Sequence, residues 1–188
     1  DRGHLHVTTT RRSGAGGRPG TMGQRLGHNA RAVVMAANEV GMPADASERV
    51  ENVGRILEMA LTRGMAKDDI FVDPLMFPIA VDSNYRNHVF EAIERIRADF
   101  GNEIHIAGGM SNVSFGIPKR KIVNDAFLHL VIEAGADAGI VDPIITSAEQ
   151  AMNIDLESKP IKLAMDLLKG NDEYAMKYIA AFRAGELD

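Results

Sequence analysis

Four short apolar runs constrain this chain most: "ARAVVMAAN" (30–38), "DIFVDPL" (69–75), "EIHIAGG" (103–109) and "DAGIVDP" (137–143). Each is brief, rich in valine or isoleucine, and ends on a polar, glycine or proline group, as parallel strands buried between other layers do. A helical period fills the segments between them. From Asp45 to Arg63, Val50, Val53, Ile56, Leu57, Ala60 and Leu61 recur at that spacing, and Gly64 follows as a C-cap. Phe90 to Phe100 repeats the pattern with Ile93 and Ile96 and stops at Gly101. Residues 121–134 repeat it again, with Ile122, Phe127, Leu130 and Val131 inward and Gly135 closing the turn. This β-α-β-α rhythm predicts a parallel α/β fold, either a (β/α)8 barrel or a doubly wound sheet.

The polar residues separate the two. In "AAN", "VDP", "GGMSN" and "VDP" the polar group stands at the C-terminal end of its strand, the face on which barrels build active sites. A dinucleotide-binding sheet would concentrate its signal in one glycine-rich turn, and the chain has no GxGxxG. The expected fold is therefore a (β/α)8 TIM barrel. A whole barrel takes about 250 residues. With 188 residues, four strands and a possible fifth in "HLHVTTT" (4–10), the chain is expected to hold only the C-terminal part of one. Residues 11–28, "RRSGAGGRPGTMGQRLGH", are rich in glycine and arginine without apolar periodicity. The organisation read from this is an aberrant or disordered segment over 1–28 and a partial barrel with C-terminal helices over 29–188.

Composition removes several functions. A formal charge of −5 leaves no general basic surface for nucleic acid, and the arginines of the N-terminal stretch lack interleaved aromatics. Without cysteine there are no disulfides and no thiolate metal sites. No apolar run approaches the roughly 20 residues of a membrane helix, and the N-terminal stretch lacks the apolar centre of a signal peptide, so a cytoplasmic protein without membrane contact is expected. His4 and His6 form an HxH at the possible first strand, but a barrel metal site needs further histidines at later strand ends, which carry Asn and Asp here. No bound metal is expected. His105 within a strand and His129 within a helix read as packed or solvent-facing. Met59, Met165 and Met176 read as core filling. Neither a nucleophile elbow nor a GxxxxGK[ST] loop is present.

Chemistry then rests on the strand ends. Asp73 and Asp142 both stand in "VDP", where a carboxylate can accept a pair of N–H groups from a planar heterocycle. An Asp before Pro also initiates turns or caps helices. Asp73 has apolar and aromatic neighbours in "DPLMFPI" that suit a flat ring. Asn112, in "GGMSNVSFG" (108–116), can donate one hydrogen bond while accepting another, and Gly108 and Gly109 let backbone approach a ligand closely. Arg120, in "GIPKR", is either a surface charge at a helix start or a planar donor over a ligand carbonyl.

Taken together, "VVMAANEVGMPADASERVENV", "DDIFVDPLMFPIAVD", "IHIAGGMSNVSFGIPKRKIVNDAFL" and "EAGADAGIVDP" resemble the pterin-binding barrel of methyltetrahydrofolate:corrinoid methyltransferases. They are also similar to the folate domain of cobalamin-dependent methionine synthase and, more distantly, to dihydropteroate synthase. The resemblance runs over about 29–145, with "GGMSNVSFGIPxR" its most specific element. It implies that Asp73 binds the pterin ring, that Asn112 approaches N5 of the methylated pterin as the catalytic residue, and that Arg120 contacts the ring. Asn38, Gly108, Gly109, Ser111, Ile140 and Asp142 complete the substrate-binding set. The implied donor is methyltetrahydrofolate, and the acceptor is cobalt(I) of a corrinoid (cobalamin) carried by a partner protein. Homodimers are typical of the family and expected if the barrel is complete.

Two features of that pattern are missing. An early pterin-binding aspartate has no counterpart, and the expected "Asn-Ser" pair falls on "HVTTTRR", with Thr9 near its place. About three strands are expected to be absent and one altered, leaving unpaired edges. Two other functions stay open: a pterin-binding module without methyl transfer, and a dihydropteroate-type synthase. For the synthase, Lys119 and Lys121 lie close to the motif, but "SNVSFG" fits the methyltransferases better.

Overall fold

Alternating burial along two four-residue strands organises the centre of the protein. The computed structural model describes residues 7–8, 31–38, 41–80, 85–142 and 144–187. Strand β1 is Val7–Thr8, β2 is Ala32–Met35, β3 is Ile70–Asp73 and β4 is His105–Ile106, hydrogen-bonded in the order β1-β2-β3-β4. The pairs β2/β3 and β3/β4 are parallel, with Val34 opposite Val72 and Val72 opposite Ile106. Ala32, Val34, Ile70, Val72 and Ile106 are fully buried, whereas Val33, Phe71 and His105 on the other face are half-buried.

The helices cover the buried face. Helix α1 (Ala46–Thr62) supplies Val53, Ile56 and Ala60, α2 (Tyr85–Phe100) supplies Ile93 and Ile96, and α3 (Arg120–Glu133) supplies Val123, Phe127 and Val131 to one continuous core. Helix α1 starts where Asp45 accepts a hydrogen bond from the Glu48 amide, and the Glu48 carboxylate accepts one from the Ala44 amide. Beyond α3, helix α4 (Ala148–Met152) leads to α5 (Lys159–Lys169) and α6 (Met176–Arg183). Leu167, Leu168, Ala164 and Tyr178 bury these last helices in the same core, so the C-terminal segment docks on its own domain.

Several sequence expectations are corrected. The fourth run, 137–143, forms no described strand: its pairing reduces to one parallel bridge between Gly109 and Ile140. The Asp137 and Ala138 amides both donate to the Ile106 carbonyl instead of extending a ladder. The possible strand in "HLHVTTT" exists as Val7–Thr8 but runs antiparallel to β2, an arrangement that suits an edge strand and not a barrel stave. His4, His6 and Thr9 lie outside the described residues, as does 11–28. Leu61 is 39% exposed because Ala60 beside it already takes the inward position, and neighbours on a helix point about 100° apart. Met176 is exposed rather than core filling, since Tyr178 and Ala181 define the inward face of α6.

At the N-terminal end of the sheet a charged cluster holds the strands. His105 Nδ1 lies 2.7 Å from Asp137 Oδ2 and its Nε2 lies 3.2 Å from Asp68 Oδ1, with the imidazole stacked on Phe71. Arg97 donates to the Gly135, Gly101 and Ile104 carbonyls and to Asp137, while the Ile106 amide also donates to Asp137. Burial disfavours the imidazolium, but the two carboxylates outweigh it and raise the pKa of His105 above its ordinary 6.5. Burial likewise opposes ionisation of Asp137, yet the Ile106 amide, His105 and Arg97 bring its pKa below the usual 3.8. The sign follows from linkage. The His105 contribution is complete below about 6.5 and is lost as pH rises through the raised pKa, whereas that of Asp137 is lost as pH falls through its lowered one. His105→Gln is therefore expected to flatten the loss of stability between pH 6 and 9, read from urea midpoints across that range. An unchanged alkaline slope would show that the cluster does not titrate with folding.

Candidate functional site

The site forms where β3 and β4 end. Asp73 is the last residue of β3 and accepts a 2.8 Å hydrogen bond from the Leu75 amide on Oδ1, the local turn that aspartate favours. Leu75 adopts a left-handed backbone (φ +66°), an uncommon state for a branched residue. Buried Arg49 holds this turn from α1: its Nε donates to the Pro74 carbonyl at 2.9 Å and its Nη1 to the Asp45 carbonyl at 3.0 Å. Burial raises the pKa of Asp73 above 3.8 and the Leu75 amide only partly offsets it.

The two glycines after β4 bring the main candidates together. A Cβ on Gly108 would stand 2.7 Å from Asp73 Oδ1 and 2.5 Å from Met76 Sδ, and a Cβ on Gly109 would stand 2.8 Å from Asn112 Nδ2. Only glycine permits both approaches. Asn112 lies in the 3-10 turn Met110–Ser114, exposed, with its amide bonded to the Gly109 carbonyl at 3.1 Å. Its side chain thus stands on a cradle of bare backbone with Asp73 on the adjacent glycine.

The remaining candidates fall into two groups. Arg120 braces the loop: Nε donates to Ser114 Oγ at 2.9 Å, Nη2 to the Ser111 carbonyl at 2.8 Å, and the guanidinium lies 4.4 Å from the Phe115 ring centre. Asn38 also faces protein, with Nδ2 donating to Glu48 at 3.0 Å and Oδ1 accepting from the Gly41 amide at 3.1 Å. Ile140, 64% exposed, is tied to the glycine pair through its backbone. Exposed Asp142 accepts from the Ile144 amide at 3.0 Å and lines, with Ser111 and Arg120, a groove of about 800 Å³ along the start of α3. Sequence reasoning did not single out Asn124 on that groove or Arg49 behind Asp73. The signal for Asn124 was a polar residue inside the inward stripe of α3. Among the described residues no group of three or more His, Asp or Glu is placed to hold a metal ion, and no helix is long and apolar enough to cross a membrane.

The ends of the parallel strands β3 and β4 thus carry a half-buried carboxylate and an amide beside paired glycines, and the chain belongs to the pterin binding enzyme family, which matches residues 22–142. It is 32% identical over 155 residues to the methylcorrinoid:tetrahydrofolate methyltransferase of Eubacterium limosum, covering 82% of this chain and 53% of that protein. It is 30% identical over 148 residues to the methionine synthase of Mycobacterium tuberculosis, covering 73% of this chain and 12% of the relative. The methionine synthase of Mycobacterium leprae matches at 32% over 120 residues, 61% of this chain and 10% of that one. The chain thus spans about half the length of the first relative and about a tenth of the other two.

Proposed function

We propose that this chain provides the pterin site of a methyltransferase that moves the N5-methyl group of methyltetrahydrofolate, or a related methylated pterin, to cobalt(I) of a corrinoid on a partner protein. Its fold is then part of a (β/α)8 barrel. The observation that carries this reading is the Gly108–Gly109 cradle with Asp73 against one glycine and Asn112 against the next.

Each role follows from the chemistry of the group. Ionised Asp73 accepts paired N–H groups from the pyrimidine edge of the pterin, and its partly desolvated setting strengthens those bonds. Met76, beside Gly108, offers an apolar surface to the ring. A methyl on a tertiary amine leaves poorly because the departing nitrogen gains negative charge. Asn112, donating to N5, strengthens its bond as that charge develops and so favours the transition state over the ground state. The corrinoid supplies the nucleophile, so this chain needs no nucleophilic side chain. The name of the Eubacterium limosum protein writes the transfer toward tetrahydrofolate. One transition state serves both directions, so the same asparagine would act in either.

The test is a calorimetric titration with methyltetrahydrofolate. Saturable binding is expected, weakened at least about tenfold by Asp73→Ala, consistent with the loss of charge-assisted hydrogen bonds. Affinity should also fall as pH falls through the raised pKa of Asp73, because the protonated acid loses acceptor capacity. A folded sample without saturable binding would overturn the pterin reading. Binding without methyl transfer to cobalt(I) corrinoid would reassign the chain as a pterin-binding module.

A further inference from the structure

We infer that Arg49 and Asn52 of α1 are positioning residues for the ligand-binding carboxylate, holding the exits of β2 and β3 so that Asp73 is aimed before any ligand arrives; the identity of that ligand rests on the pterin reading above. Among the buried residues of α1 these are the two polar ones, at 0% and 2% exposure. They stand three positions apart, on one face of the helix. Burying a guanidinium and an amide costs solvation that their hydrogen bonds at best offset, so packing alone gives no reason for either.

What they hold supplies the reason. Asn52 Nδ2 donates to the Ala36 carbonyl at 3.2 Å, and Arg49 Nε donates to the Pro74 carbonyl at 2.9 Å. Ala36 and Pro74 are the first residues beyond β2 and β3, where the parallel register ends. The Ala36 amide donates in turn to the Asp73 carbonyl at 2.9 Å. The backbone of Asp73 is thus fixed on both sides, through its own carbonyl toward Asn52 and through the next carbonyl to Arg49. Leu75 follows at φ +66°, and a left-handed branched residue persists where its surroundings hold it there. Its amide is the donor to Asp73 Oδ1. Arg49 therefore sets the Leu75 amide and the amide sets the carboxylate, which then loses little freedom on binding. The route is through backbone and not through charge: burial and the Leu75 amide are the causes of the shift at Asp73. The charged groups on the neighbouring elements have other partners. Glu48 on α1 is bonded to Asn38 and the Ala44 amide, and His105 on β4, opposite Phe71, is paired with Asp137 and Asp68.

The test reads Asp73 directly, by NMR titration of its carboxyl carbon in the ligand-free protein, assigned with Asp73→Asn, beside calorimetric titration with methyltetrahydrofolate. Arg49→Lys keeps the charge but loses the fork that reaches both Pro74 and Asp45. Gly108 and Met76 still wall the carboxylate, so burial persists while the amide bond weakens, and the Asp73 titration should move to higher pH. Affinity for methyltetrahydrofolate should fall about tenfold at neutral pH. The single-turnover transfer rate at saturation should fall less than about twofold, because Asn112 stays in place. Asn52→Leu, of similar size and without a buried charge to strand, should move titration and affinity the same way, the affinity by about threefold. It decides the matter where Arg49→Lys does not fold. A merely structural role would lower urea midpoints yet leave the Asp73 titration and the affinity of the folded variants at wild-type values. That result, or an Asp73 titration displaced to lower pH, would overturn the inference and leave the pterin site standing. An Asp73 titration that rises in the variants of a protein that binds no methyltetrahydrofolate would keep both positioning residues and remove the pterin.

Discussion

Asn112→Ala is expected to slow methyl transfer by about 10²- to 10³-fold while changing methyltetrahydrofolate affinity only a few-fold, the signature of a donor whose bond strengthens as charge develops. The geometry supports that split. Asn112 is exposed and adds nothing to the core, so its removal leaves the fold intact. Its backbone stays fixed by the bond to Gly109 and by the Phe115 amide, which donates to the Asn112 carbonyl at 3.2 Å. Single-turnover kinetics with cobalt(I) corrinoid, alongside equilibrium binding, separates the two effects. If affinity and rate fell together by the same factor, Asn112 would be a binding group and not the group that stabilises the departing nitrogen.

Gly108→Ala should be the most disruptive single methyl in the site. Its Cβ would stand 2.5 Å from Met76 Sδ and 2.7 Å from Asp73 Oδ1. Met76 is buried and Asp73 is held by the Leu75 amide, so neither yields freely. Overpacking of this kind costs about 1–3 kcal/mol, and the displaced carboxylate should lose most of its pterin affinity. The positive φ that penalises side chains elsewhere is absent at Gly108, so the effect is purely steric. Gly109→Ala offers a contrast, because the obstructing atom is the tip of exposed Asn112, which can swing away. Its stability should hardly change, while the transfer rate falls as in Asn112→Ala. Urea unfolding and titration of both variants check the pair, and a Gly108→Ala protein of wild-type stability and affinity would refute the account.

What was legible in the sequence was local. Three of the four apolar runs became parallel strands, and the glycines after the helices all take positive φ, at Gly64, Gly101 and Gly135. Asp73 and the "GGMSN" loop could be placed at strand ends because strand and turn chemistry are written in consecutive residues. What escaped were partners far apart in the chain. No period in α1 marks Arg49 as the residue that reaches Pro74, 25 positions on. His105 read as an ordinary strand residue because Asp68 and Asp137, which flank it, lie 37 and 32 positions away. The run 137–143 failed as a strand for the same reason. Its first carboxylate is claimed by His105, Arg97 and the Ile106 amide, a demand invisible in its own composition.

The buried guanidinium of Arg49 has a mechanical consequence. It joins the carbonyl before the start of α1 to the carbonyl beside the left-handed Leu75, so the helix entrance and the exit of β3 are levers on one pivot. Glu48, one residue earlier, grips Asn38 at the exit of β2. Substitutions in α1 therefore reach the strand exits that carry Asn38 and Asp73 through two side chains of the helix, Glu48 and Arg49.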